Sequence, residues 1–144
     1  MTRKVTRAVA RIQAGIQEKL YMGNLDAVRD WGYAPEYVEG MWRMLQHHEP
    51  QDYVLATNSA YSVKDFVRMA FEHAGLEWEK YVEYDKRYER PTEVDALIGD
   101  YSKAKDVLGW EPKVRTPELV KIMVDADIKL LDDERSGRLV RIDS

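Results

Sequence analysis

Short helical and strand patterns alternate along the whole 144-residue chain, and no apolar run is longer than the four residues Tyr53–Ala56. A membrane-crossing helix needs about 20 consecutive apolar residues, so no such span is encoded. Short amphipathic segments reach stability only by burying one face against each other, which makes the expected class mixed α/β. A chain of this length fits one domain, since domains typically run to about 100–200 residues. Residues 1–131 are expected to form it, with 132–144 a polar tail that frays.

The elements can be placed one by one. Thr2 is suited to cap a first helix carrying Val5, Ala8, Val9, Ile12 and Ile16 on one face, with Lys4, Arg7 and Arg11 on the other. Leu20–Met22 reads as a short strand before the turn Gly23-Asn24, and Asp30–Ala34 as a second extended piece. Pro35 opens a helix with an apolar stripe of Tyr37, Val38, Met41, Trp42 and Leu45. Asp52–Thr57 reads as a buried strand. Ser62 and Asp65 form a capping-box pattern ahead of Val63, Phe66, Val67, Ala70 and Ala74, and Gly75 ends that helix. Tyr81–Tyr84 and Val94–Ile98 alternate like strands. Ser102–Leu108 is a short helix stopped by Gly109. The last helix starts at Thr116-Pro117-Glu118 and presents Leu119, Val120, Met123, Val124, Leu130 and Leu131.

Composition removes several function classes. There are no cysteines, which excludes disulfides, thiolate catalysis and Cys-ligated zinc and suits a cytoplasmic setting. The basic start has no apolar signal core. A net charge of −4 argues against nucleic acid as the main partner. His47, His48 and His73 are too few and too scattered for a metal, and His47-His48 suit a helix C-terminus. No Gly-x-Gly-x-x-Gly or Gly-x-x-Gly-x-x-Gly loop is present to cradle a dinucleotide. Tyr101 and Lys105 match Tyr-x-x-x-Lys formally, but Tyr101 precedes the helix cap, so the two would not share a helix face.

What remains is anion chemistry. Ten of the seventeen residues in Glu79–Asp95 are charged, which by itself describes a solvated face. Within it, Arg90 precedes Pro91, whose ring restricts the backbone that carries the guanidinium. A guanidinium held in place suits phosphate, because its fork meets two oxygens at once. Arg29, between a turn and Trp31, is placed similarly. The four tryptophans suit core or pocket walls.

Several segments taken in order resemble one family: Thr2–Ala8, Leu20–Gly32 (LYMGNLDAVRDWG), Tyr37–Trp42, Arg90–Asp95, and Asp100–Lys105 leading to Leu108-Gly109-Trp110-Glu111-Pro112. Together they look like the C-terminal, substrate-binding part of the GDP-mannose 4,6-dehydratases, which are extended short-chain dehydrogenases/reductases. The resemblance covers roughly residues 1–131, and Gly23–Asp26 with Arg29–Gly32 is its most specific portion. It implies a lyase that converts GDP-mannose to GDP-4-keto-6-deoxymannose and water, on the way to GDP-fucose, with NADP held by a Rossmann half that this chain lacks. No catalytic or cofactor-binding residue is then expected here. Lys4, Arg29 and Arg90 would neutralise the diphosphate, Glu93 would accept from the ribose hydroxyls, and Asn24 would lie near the base or phosphate. The implied partners are GDP-mannose or GDP and the missing Rossmann half or a second copy, with apolar surface left exposed where that half would pack. The alternatives are the same part of another nucleotide-sugar dehydratase or epimerase, and a non-catalytic nucleotide-sugar binding module.

Overall fold

The structure, a computed structural model, describes residues 1–88 and 96–138. Among these residues five α-helices and five short strands are interspersed: α1 (Thr2–Gln13), β1 (Leu20–Met22), β2 (Val28–Asp30), α2 (Ala34–Gln46), β3 (Ala60–Ser62), α3 (Val63–His73), β4 (Val82–Tyr84), β5 (Ala96–Leu97), α4 (Ser102–Leu108) and α5 (Thr116–Arg135). Single 3₁₀ turns lie at Trp78–Lys80 and Lys86–Tyr88. The mixed α/β class is therefore the observed one. Strand β1 pairs with β4 in parallel, and β2 is central in a second sheet of order β3-β2-β5, antiparallel to β3 and parallel to β5.

The core lies between α1, α3 and α5 and the inner face of β1. Val5, Val9, Phe66, Val67, Ala70, Phe71, Val120 and Val124 are fully buried there. Each helix supplies residues three or four apart, the spacing that aligns side chains on one face. One polar group crosses this core. The buried Asp127 of α5 accepts from the Thr6 hydroxyl at 2.6 Å and pairs with Arg3 Nε at 3.2 Å. A buried carboxylate is tolerable only when so satisfied.

Local signals explain α3 and α4. The Ser62 hydroxyl accepts from the Asp65 amide while the Asp65 carboxylate accepts from the Ser62 amide and hydroxyl. Gly75 and Gly109 have φ of +73° and +63°, the left-handed region that ends a helix at least cost in glycine.

Of the apolar stripe expected on helix α2 only Tyr37 packs inward; the helix docks by the face opposite to the other four residues. Its Glu36 carbonyl accepts from Trp110 Nε1 at 2.7 Å, Tyr37 meets the Trp110 ring edge-on at 5.7 Å, Gly40 is buried, and Arg43 donates to the Gly109 carbonyl at 2.5 Å. The Glu36 carboxylate accepts from the Lys113 and Val114 amides. Val38, Met41, Trp42 and Leu45 face outward and are exposed, Leu45 by 82%.

Several expectations are corrected. Helix α1 starts at Thr2 with Met1 in the cap position, so the Thr2 hydroxyl caps nothing, and Ile16 lies beyond the helix end and is exposed. Asp52–Thr57 is not a strand: the Thr57 amide, which a ladder would use, donates to the Asp30 carboxylate at 3.0 Å, and the strand forms at Ala60–Ser62 instead. The second extended piece is Val28–Asp30, not Asp30–Ala34. On α5, Leu130 and Leu131 are only partly buried. That helix continues through Asp132 to Arg135, so the polar tail begins as helix rather than as a frayed end. The strand expected at Val94–Ile98 is present as Ala96–Leu97, and its first two residues lie outside the described ones.

Candidate functional site

Three of the five residues marked by the sequence come together. A cavity of about 310 Å³ opens among Lys4 in the first turn of α1, Asn24 in the turn after β1, and Arg29 on β2. Met1, Met22, Gly23, Ala27, Trp31, Val63 and Tyr88 complete its wall. The volume is at the lower end of what a small-molecule pocket needs, about 300–1,000 Å³, and the lining mixes apolar side chains with a few convergent polar groups. The two remaining residues, Arg90 and Glu93, lie outside the described residues.

Each polar side chain is positioned by its element. Strand alternation sends Arg29 and Asp30 to opposite faces of β2. Arg29 lines the cavity, with Nη1 donating to its neighbour's Val28 carbonyl at 2.7 Å. Asp30 turns to the far side and gathers the Thr57 hydroxyl at 2.6 Å and the Thr57 amide at 3.0 Å. Asn24 accepts from the Asp26 amide at 2.8 Å, an Asx turn that fixes the loop after β1.

Lys4 is held from two sides. Its ammonium donates to the Tyr21 carbonyl at 2.6 Å and lies 3.2 Å from the centroid of the Tyr88 ring. Partial burial pushes its pKa below the ordinary lysine value, and the Asp85 carboxylate opposes that shift. Asp85 itself is held below the usual carboxylate range by hydrogen bonds from Arg87.

The arrangement is suited to binding an anion with an attached apolar or aromatic body: two cations, an amide, and walls of Met22, Val63 and Trp31, with the Tyr88 ring face turned to the Lys4 ammonium. Sequence reasoning missed Tyr88, whose only signal was its place two residues before Arg90-Pro91. Among the described residues no general acid–base pair or nucleophile–base set joins the cavity. Tyr101 and Lys105, the formal Tyr-x-x-x-Lys match, have different partners. The Tyr101 ring packs edge-on against Trp110 at 6.1 Å, while Lys105 pairs with Glu111 at 2.7 Å. Tyr37, beside Trp110, has a hydroxyl pushed up to about 12 by burial and by the nearby Asp30 and Glu36 carboxylates, so it stays protonated.

The residues do not fit a dinucleotide pyrophosphate. Such a group sits on a free helix N-terminus after a strand. Of the two helices that follow strands most directly, α3 has its N-terminus filled by Ser62 and Asp65, and α2 has Pro35, which offers no N–H, and the acidic Glu36 in its first turn. Among the described residues no group of three or more His, Asp or Glu side chains is placed to hold a metal, and no helix is long and apolar enough to cross a membrane.

A family profile described as GDP-mannose 4,6 dehydratase matches residues 1–123. The chain is 56% identical over 135 residues to GDP-mannose 4,6 dehydratase 1 of Arabidopsis thaliana, an alignment that takes in 94% of this chain and 37% of that protein. It is 47% identical to the human GDP-mannose 4,6 dehydratase, covering 91% of this chain and 40% of the relative. The chain thus spans about two-fifths of the length of these relatives. Among solved structures, the NADPH complex of RMD from Pseudomonas aeruginosa superposes with a TM-score of 0.79 at 19% identity, over 90% of this chain and 42% of that one. UDP-glucose 4-epimerase from Thermotoga maritima, solved with UDP-glucose, gives 0.71 at 28% identity, over 85% and 38%. The fold is therefore part of that of the extended short-chain dehydrogenases/reductases, and with a family profile matching 123 of its 144 residues the chain belongs to the GDP-mannose 4,6 dehydratase family.

Proposed function

We propose that this chain is the substrate-holding part of a GDP-mannose 4,6-dehydratase and that the cavity takes the GDP moiety of GDP-mannose. The observation that carries the reading is the convergence of Lys4, Asn24 and Arg29, from three separate elements, on one cavity of about 310 Å³. Two phosphates require fixed cations, and a guanidinium and an ammonium on rigid elements supply them. Arg90 and Glu93 are assigned to the same ligand, to the diphosphate and the ribose hydroxyls respectively.

The division of labour follows from what the cavity lacks. Conversion of GDP-mannose to its 4-keto-6-deoxy form moves a hydride and a proton, and NADP supplies the hydride chemistry in the whole enzyme. Among the described residues there is neither a dinucleotide site nor an acid–base pair, so the part assigned to this chain is to anchor the nucleotide. Remote binding of that kind fixes the sugar for chemistry performed elsewhere. The chain alone should give no turnover of GDP-mannose with NADP. The remainder of such an enzyme, the Rossmann half, would cover the exposed face of α2, and the reaction is a cytoplasmic one.

Titration of the chain with GDP and, separately, UDP, followed by backbone amide shifts, tests this. GDP is expected to move the Lys4, Asn24 and Arg29 signals, and UDP to act far more weakly. Equal action of UDP would favour the substrate part of another nucleotide-sugar enzyme. Lack of response to both would remove the nucleotide assignment from the isolated chain.

A further inference from the structure

We infer that Tyr88 is a positioning residue for the Lys4 ammonium, holding it at the rim of the cavity in the place where a phosphate is to be met; this rests on the nucleotide reading above. A lysine ammonium has three donors on a four-carbon stem and, left to itself, samples many positions. Here two directions are taken. The Tyr21 carbonyl accepts at 2.6 Å, and the Tyr88 ring face lies 3.2 Å from the nitrogen. Donor capacity remains for one incoming oxygen.

Tyr88 can do this because its own position is built. The Asp85 amide donates to the Met22 carbonyl at 2.8 Å, fastening the end of β4 to the end of β1. Asp85 then accepts from the Arg87 amide at 2.9 Å and from Arg87 Nη2 at 2.6 Å, and the Tyr88 amide donates to the Asp85 carbonyl at 3.0 Å. The 3₁₀ turn Lys86–Tyr88 is thereby tied to the strand that leads into Gly23 and Asn24. The ring is half exposed, so no core packing accounts for its placement. A ring face attracts a cation without offering a negative charge, so the ammonium keeps its full charge for the ligand, whereas a carboxylate in the same place would neutralise it.

Three forms of the full chain test the role: unchanged, Tyr88→Phe and Tyr88→Leu. GDP affinity and guanosine affinity are measured by titration, and the Lys4 ε-proton shift is read by NMR without ligand. The ring places those protons upfield in the unchanged chain and in Tyr88→Phe, and the shift is lost in Tyr88→Leu. GDP binding is expected to weaken about fivefold in Tyr88→Leu, the weight of one partly exposed ammonium–ring contact. It should stay within about twofold in Tyr88→Phe, which keeps the ring face. Guanosine, which has no phosphate, should bind all three forms equally. Equal loss of guanosine and GDP in Tyr88→Leu, or GDP binding unchanged there, overturns the positioning role alone. Failure of GDP to bind even the unchanged chain overturns the nucleotide reading and the role with it.

Discussion

The two sides of the molecule are held together by different means. On one side α1, α3 and α5 bury apolar stripes against each other, and eight of their apolar side chains lose all contact with water. On the other, α2 is fastened to Trp110 and the segment after α4 by hydrogen bonds and one ring contact, while its apolar stripe stays in solvent. Burial of apolar area is the dominant stabilising term in folding, whereas a hydrogen bond contributes only about 0.5–1.5 kcal/mol net. The first side is therefore held chiefly by burial, and the second by polar contacts that leave an apolar stripe exposed.

Substitutions can break that comparison. Phe66→Ala, which empties the centre of the first side, is expected to cost about 3–5 kcal/mol in urea denaturation. A smaller loss would show that the core is less tightly joined than its burial implies. Trp110→Phe removes the donor to the Glu36 carbonyl and should cost about 0.5–1.5 kcal/mol. Its effect should appear as faster amide exchange in α2 and not in α1 or α5, and uniform acceleration would mean that the two sides unfold as one.

Ser62→Ala removes half of the capping box and should cost about 1 kcal/mol at neutral pH. It carries a pH signature as well. The Asp65 carboxyl lies below its ordinary 3.8, first through the hydrogen bond from the Ser62 hydroxyl, with the Ser62 amide and Arg68 adding to it against burial. A carboxyl depressed in the folded state stabilises above its unfolded pKa, and that stability is lost as pH falls through the lower folded value. Ser62→Ala should thus flatten the acid limb of the stability curve below about pH 4. The smallest effect is expected for Trp42→Ser on the outward face of α2, within about 0.5 kcal/mol, as for other exposed positions. The same change should reduce binding of an apolar dye to the chain, and unchanged dye binding would place the sticky surface elsewhere.

The same contrast decides what was legible in the sequence. Where a local rule settles the outcome, as with the Ser62/Asp65 box, Gly75 and Gly109, the elements follow from the residues. The stripe Val38, Met41, Trp42 and Leu45 was visible too, but periodicity cannot say whether an apolar face meets this chain or another. Asp52–Thr57 shows the opposite failure. Its four apolar residues look like a strand, yet the Thr57 amide is claimed by Asp30, 27 residues earlier, which no window of local pattern detects. Buried Asp127 escaped notice for the same reason, since its partner Thr6 lies 121 residues away. Of the candidate site, Lys4, Asn24 and Arg29 were marked through family resemblance, whereas Tyr88 owes its place at the cavity to the pairing of β1 with β4.

The clamp on Asp30 has one more effect. In β2 Arg29 is followed by Asp30, opposite charges on successive positions, so the sign of the charge facing the cavity is a matter of parity. A slip of one residue against Ala60–Ser62 would turn an anion-attracting wall into an anion-repelling one while leaving composition and net charge untouched. By fixing Asp30 outward through Thr57, the fold guards the polarity of the pocket with residues that never touch what enters it.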